Sequence, residues 1–343
     1  MAFAKALCVS LAVASAAGAA IHPASAASTL DGVKAKGYVA CAINTGLAGF
    51  SMADQQGHFA GLDVDVCRAV AAAVLGSADK TKFVPATAEQ RFALLQSGEV
   101  DVLTRNTTWT LTRETDLGLN FAPVNYYDGQ GFMVAKKSNV TSAKQLDGAT
   151  VCVQPGTTTE LNLADYFRTN HMNVKPLVIE KLDEVENAFF SGRCDAYTTD
   201  RSGLAATRAA KAPNPDDYVI LPEVISKEPL APAVRHGDDE WFEIVKWSVF
   251  GMIDAEEKGI TSVNVDTMLK SDDPEIQRML GVTPGMGKAL HLDEKWLYNI
   301  IKQVGNYGES FDRNVGQSSS LKLARGLNAL WTHGGILYGM PIR

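Results

Sequence analysis

The sequence predicts an α/β protein with a parallel-rich sheet in each of two halves, and two observations carry that expectation. Short β-like runs alternate with helical patterns twice along the chain, the order that builds parallel strands joined by crossover helices. The halves also repeat one another. LQSGEVDVLTRN (95–106) and FFSGRCDAYTTD (189–200) both read helix end, Ser-Gly, two residues, Asp, strand and polar tip, with a constant offset of 94 positions from Ser97 to Ser191 and from Asn106 to Asp200.

In the first half the run VACAI (39–43) predicts a strand, DVDVCRAVAAAVL (63–75) a helix, KFVPA (82–86) a strand, AEQRFALLQSG (88–98) a helix and VDVLT (100–104) a strand. The second half follows with TVCVQ (150–154), TTELNLADYF (158–167), PLVIE (176–180), LDEVENAFFSG (182–192) and CDAYTT (194–199). The Ser-Gly after each second helix suits a C-cap, because glycine takes positive φ at little cost. Open α/β sheets bind ligands beyond the carboxyl ends of their strands, so Asn106 and Asp200 mark one tip per lobe facing a shared cleft.

The stretch DVLTRNTTWTLTRETD (101–116) turns polar within four residues of a strand entry, which neither a core nor a plain surface loop calls for. Beside Asn106 and Thr108, Arg113 offers a planar donor fork that grips a carboxylate, as against a solvated arginine in a helical turn capped by Thr112. Thr157 and Glu160 have capping-box spacing, opening a helix whose apolar face is expected at Leu161, Ala164 and Phe167. A helix N-terminus also offers free N–H groups to an anion, and Thr158 would add a hydroxyl there. Asp200 opposite this cluster supplies what a zwitterion requires, a negative charge for its ammonium. Phe50, after NTGLAG, would either floor the pocket or belong to the core. Asp63 or Asp65 is expected to cap the helix CRAVAAAVL, because a calcium loop needs more oxygen ligands than this segment holds.

The 343 residues, 46% hydrophobic and 21% charged, suit two globular domains. Lys5, an apolar run from Ala6 to Ile21 and Ala24-Ser25-Ala26 read as a secretory leader over 1–26, cleaved near Ala26. No later run is long and apolar enough to span a bilayer. The formal charge is −7, becoming −8 without the leader, and no basic cluster points to nucleic acid. Cys41, Cys67, Cys152 and Cys194 remain after the leader; export makes disulfides plausible, and three pairings are open. No CxxC, GxSxG, HExxH or Walker A motif occurs, and SADK and SSLK match SxxK without its companion motifs. No metal or cofactor is expected, and no base is paired with a nucleophile.

AGLDVDVCRAVA, LQSGEVDVLTRNTTWTLTRETD, GTTTE and SGRCDAYTTD resemble the polar amino-acid binding proteins of ABC transporters (family 3 of the periplasmic solute-binding proteins). NTGLAGF, RNTTWTL, NYYDGQGFMV and GRCDAYTTD are most similar to the general L-amino-acid branch, and the likeness runs to the tail LNALWTHGGILYGMPIR. The resemblance implies the two-lobed periplasmic-binding-protein-like (type II) fold with two crossings, expected near Gly131–Lys136 and Val224–Val234. It divides the chain into lobe 1 (27–130 and 229–262), lobe 2 (131–228) and a helical extension (263–343) packed on lobe 1; Trp241, Trp247 and Trp331 are expected to serve packing. It implies a ligand carboxylate held by Arg113 with Thr108 and Thr158, and an ammonium held by Asp200 with Asn106. Relatives selective for basic amino acids have an aromatic ring at the position of Leu47 and a carboxylate at that of Asn44, which implies a less charged, roomier pocket here. The expected protein is a monomeric periplasmic receptor, not an enzyme, delivering L-amino acids of broad specificity to an inner-membrane ABC permease. The alternatives are a dehydratase-like hydro-lyase on the same fold and an amino-acid or short-peptide sensor for a chemoreceptor. With two lobes, one bridge per lobe is expected, Cys41–Cys67 and Cys152–Cys194, each joining the lobe's first strand to a neighbouring element.

Overall fold

The computed structural model describes residues 28–343; the expected leader lies outside the described residues. Two five-stranded sheets share one plan. In the first, Thr81–Ala86, Val39–Asn44 and Val102–Leu103 run parallel, followed by antiparallel Ala233–Arg235 and the edge strand Leu119–Phe121. In the second, Lys175–Val178, Thr150–Val153 and Ala196–Asp200 run parallel, followed by antiparallel Gln130–Ala135 and the edge strand Tyr218–Ile220. In each sheet the antiparallel member is the strand that follows a crossing from the other lobe.

Central strands buried on both faces explain the unbroken apolar runs. Along Val39–Asn44, Val39, Cys41 and Ile43 pack with Val70, Ala71 and Trp241, whereas Ala40 and Ala42 pack on the opposite face with Leu95, Leu103 and Phe121. The alternation is the two-residue period of a strand. The internal repeat has a structural counterpart: helices Gln90–Gln96 and Leu182–Phe190 end at Ser97 and Ser191, and Gly98 and Gly192 both take φ of +79°.

Three local expectations are corrected. Gly131–Lys136 is not a crossing; Gln130–Ala135 is a fully paired interior strand, and its GFMVA residues are apolar because both faces are covered. The segments that run between the sheets are Tyr126–Asp128 and Glu228–Leu230, paired antiparallel to one another. Neither Asp63 nor Asp65 caps Leu62–Leu75, which begins after Gly61 without a side-chain cap. Asp63 accepts from Asn106 N and Asn125 Nδ2, and Asp65 is taken by Ser310, Arg313 and Asn314. The buried face of Thr158–Thr169 is Thr159, Leu163 and Phe167, one residue each turn; Leu161 is 67% exposed.

The helices Asp239–Glu257, Trp296–Gln303 and Tyr307–Asn314 pack together over Leu62–Leu75, on the outer side of the first sheet. Trp241 is buried and donates to Asp101 O, Trp247 packs on Phe250, and Trp331 is half-exposed against Tyr338. The C-terminal segment also reaches the crossing strand. Asn328 accepts from Tyr127 N at 2.6 Å and donates to Tyr127 O at 3.1 Å, so its amide stands in for a third strand. Disulfides join Cys41 to Cys67 and Cys152 to Cys194, with Cα separations of 6.2 and 5.7 Å, one within each lobe.

Candidate functional site

The polar stretch after Val102–Leu103 is buried, because it folds inward between the two sheets instead of leaving them. Thr104 N donates to Ala42 O, Arg105 Nε to Ala86 O, and Thr107 Oγ1 to Arg105 O. Asn106 turns the chain with φ of +29°, a conformation asparagine tolerates better than most residues, and Asp63 holds its backbone N–H at 2.8 Å. The polar side chains are thereby spent on turning the backbone and on walling a cavity.

That cavity lies between the lobes and is open to solvent on one side. Asn44, Leu47, Arg91, Arg105, Asn106 and Thr108 form its first-lobe wall. The second lobe contributes Gln154, the Thr157–Thr159 turn, Tyr197, Thr199 and Asp200 among others. The expected strand tips therefore meet: Asn106 and Asp200 line one space. The second-lobe wall includes the first turn of Thr158–Thr169, where N–H groups lack intrahelical acceptors. Thr157 caps it through Glu160 N, while the Glu160 carboxylate reaches Gly156 N and so completes the cap one residue early.

Thr108 and Thr158 come from opposite lobes and converge on a residue that the sequence reading overlooked. Both hydroxyls donate to Glu228 Oε2, at 2.6 and 2.7 Å, while Asn162 Nδ2 and Ser226 Oγ donate to its other oxygen. Glu228 is 1% exposed and sits on a crossing strand. A hydroxyl has one proton, so these threonines offer the cavity lone pairs only. Further contacts close the lobes: Arg91 Nη2 donates to Gly156 O at 3.2 Å, and Thr87 Oγ1 to Glu180 at 2.9 Å.

Arg113 is not among the residues lining the cavity; it is buried behind Thr108, with Nη1 donating to Thr108 O at 2.7 Å and its guanidinium over the Phe92 ring. Its helical turn is capped by Thr110, not Thr112, since Thr110 Oγ1 accepts from Arg113 N. Phe50 packs in the core, edge-on to Tyr126 at 5.3 Å, and lies outside the cavity wall. Asn44 Nδ2 donates to Asn106 Oδ1 at 3.1 Å, which fixes the amide between them. Arg91 and Arg105 were not singled out in the sequence, although Arg105 adjoins Asn106. They make the wall more cationic than Asn44 and Leu47 alone implied.

Burial dominates the electrostatics. It raises the Asp200 carboxyl well above its usual range, with Asp128 and Glu228 adding repulsion and Arg91 and Asn106 opposing. Burial likewise lifts Asp63 and Asp128 to about 6. Arg105 and Arg113 are pushed down to about 10 by burial, and nearby carboxylates partly restore them. Asp200 is thus a carboxylate that gains when a cation reaches it.

The pattern of the bacterial extracellular solute-binding proteins, family 3, matches residues 39–262. The general L-amino acid-binding periplasmic protein of Rhizobium johnstonii is 59% identical over 93% of this chain and 94% of its own. The glutamate/glutamine/aspartate/asparagine-binding protein of Rhodobacter capsulatus is 56% identical over 93% of this chain and 95% of its own. Among solved structures, an ABC transporter periplasmic binding protein from Brucella ovis with glutathione bound superposes with a TM-score of 0.91. It is 56% identical and covers 93% of this chain and all of that one.

Proposed function

This chain belongs to the bacterial extracellular solute-binding proteins, family 3, and on that premise we propose that it is a periplasmic receptor for L-amino acids serving an ABC permease. The observation that carries the reading is the meeting of Asp200 with a helix N-terminus and an arginine-lined wall in one interlobe cavity. A zwitterion matches that arrangement. Its ammonium goes to Asp200 and Asn106 and gains further from the lone pairs of Thr108. Its carboxylate goes to the first turn of Thr158–Thr169 and to the charge of Arg113. Closure excludes water, so both pairings act in a medium where charges interact more strongly. The ligand favours the closed state to the extent that it binds that state better. No covalent step is involved.

The clamp addresses groups common to all α-amino acids, which supports broad specificity, in keeping with the ligands for which the Rhizobium and Rhodobacter relatives are named. The receptor is exported by its leader, acts as a monomer and divides near the boundaries given above. Mass spectrometry of ligand released from the purified protein, followed by a thermal-shift panel of amino acids and 2-keto acids, tests the reading. Neutral, acidic and basic amino acids should bind within about two decades, ~2.8 kcal/mol. Stabilisation by one side chain alone would overturn the breadth, and equal shifts from keto acids would overturn the role of Asp200.

A further inference from the structure

We infer that the C-terminal segment is a proton-sensitive latch: it seats on the long first-lobe helix while Asp254 carries its proton, and it lifts at Gly339 when that carboxylate ionises. The segment meets the last turn of Asp239–Glu257 at several points. Arg325 pairs with Glu256, and Trp331 Nε1 donates to Glu257 Oε2 at 3.2 Å. The backbone of Gly339 lies on Asp254, so closely that a Cβ there would overlap Asp254 Oδ1. The first two contacts give a carboxylate a donor. The third does not: among the described residues nothing donates to the Asp254 side chain, and its Oδ2 is buried.

A carboxylic acid suits this place and a carboxylate does not. The last turn of the helix carries no basic residue, and a helix C-terminus disfavours negative charge. Glu257 on the same helix and Glu275 on Pro274–Met279 repel an anion here; Lys258 attracts it but is itself paired with Glu275 and Asp273. From the tail, the residue against Asp254 is the uncharged Gly339. Burial first, then the two glutamates, raise the carboxyl to about 7. When the tail lifts, water reaches Asp254 and its carboxyl returns toward the ordinary aspartate range, near ~4. Seating is therefore whole below that range and weakens by about tenfold per unit as pH rises from about 4 to about 7. Leu330, Leu337 and Ile342 are buried under the same segment and oppose the lifting, so pH sets how often the latch opens. The hinge feels each opening, because Asn328 of this segment holds both backbone groups of Tyr127.

Hydrogen exchange with mass spectrometry on the full protein, at about pH 5 and about pH 7.5 and corrected for intrinsic exchange rates, reads the opening. In wild-type protein the protection of Trp331, Ile336 and Leu337, whose N–H groups bond Leu337 O, Leu327 O and Ala329 O, should fall roughly tenfold or more at the higher pH. The interior strand Gln130–Ala135 should keep its protection. Asp254→Asn should remove the pH dependence from the tail, and Gly339→Ala should lower tail protection at both pH values. The wild-type arm needs no variant to fold. Tail protection that does not change with pH, or a fall shared equally by Gln130–Ala135, would overturn the latch. So would the same fall in Asp254→Asn, or full protection in Gly339→Ala.

Discussion

The hydroxyls of Thr108 and Thr158, one from each lobe, lie 3.3 Å apart, and both donate to the same oxygen of Glu228. Closure of the lobes is thus registered on a carboxylate that belongs to the crossing strand. Glu228→Gln keeps the shape and replaces one acceptor oxygen with a donor, so donors on that side lose a charged partner. The expected cost is about 1–3 kcal/mol of unfolding free energy. Urea denaturation measures it, and an unchanged midpoint would show that the four contacts carry no net weight.

Arg113 donates to Thr108 O from behind the cavity wall, so its removal strips a positive charge from beneath that wall and a support from its backbone. Arg113→Ala should weaken every amino acid by more than ~3 kcal/mol, because a desolvated carboxylate loses its counter-charge. Arg113→Lys should fall between, keeping the charge without the planar fork. Calorimetry on the folded variants decides; near-normal affinity in Arg113→Ala would remove the assignment.

The raised Asp200 carboxyl predicts a proton exchange on binding. A group whose folded pKa exceeds its unfolded one stabilises the protein at low pH and loses that contribution as pH climbs through the folded value. For Asp200, the arriving ammonium displaces the proton, so affinity should rise with pH by up to about tenfold per unit until the carboxyl is already ionised. Titrations in buffers of different ionisation enthalpy should report proton release in wild-type protein and less in Asp200→Asn. Identical heats across buffers would contradict the coupling.

Asp254 offers a test remote from the cavity. Its Oδ2 is buried without a partner among the described residues, and burial, Glu257 and Glu275 push it up to about 7. Its contribution is therefore whole only below the ordinary aspartate range and is lost progressively as pH rises from about 4 to about 7. Relative to wild type, Asp254→Asn should gain stability by several kcal/mol at most, roughly 1–4, between pH 3.5 and pH 8.5. Thermal melts at the two values check the sign, and a stability difference that does not change with pH would refute it.

The lobes were legible because their strands are buried on both faces, leaving runs such as VACAI and TVCVQ that alternation and glycine caps delimit. The internal offset was legible for the same reason, as equal folds need equal turns at Gly98 and Gly192. The crossings were not. GFMVA is as apolar as any interior strand, while Tyr126–Asp128 and Glu228–Leu230 are short and their pairing with each other is set across a hundred residues. Glu228 was invisible for a related reason: a lone glutamate in SKEPLAP reads as surface until Thr108, Thr158, Asn162 and Ser226 are brought around it. Arg91 was hidden in a helix pattern that explains its neighbours without it.

The amide of Asn328, bonded to both backbone groups of Tyr127, gives the crossing strand a companion on its second edge. Arg325 braces that amide from behind, donating to Asn328 O and pairing with Glu256 on the long first-lobe helix. Any rotation between the lobes that twists Tyr127 must therefore drag residues 325–328 with it or break two hydrogen bonds. The torsional stiffness of the hinge is in this sense written into the last twenty residues of the chain, and the lobe angle and the tail fluctuate as one mechanical unit.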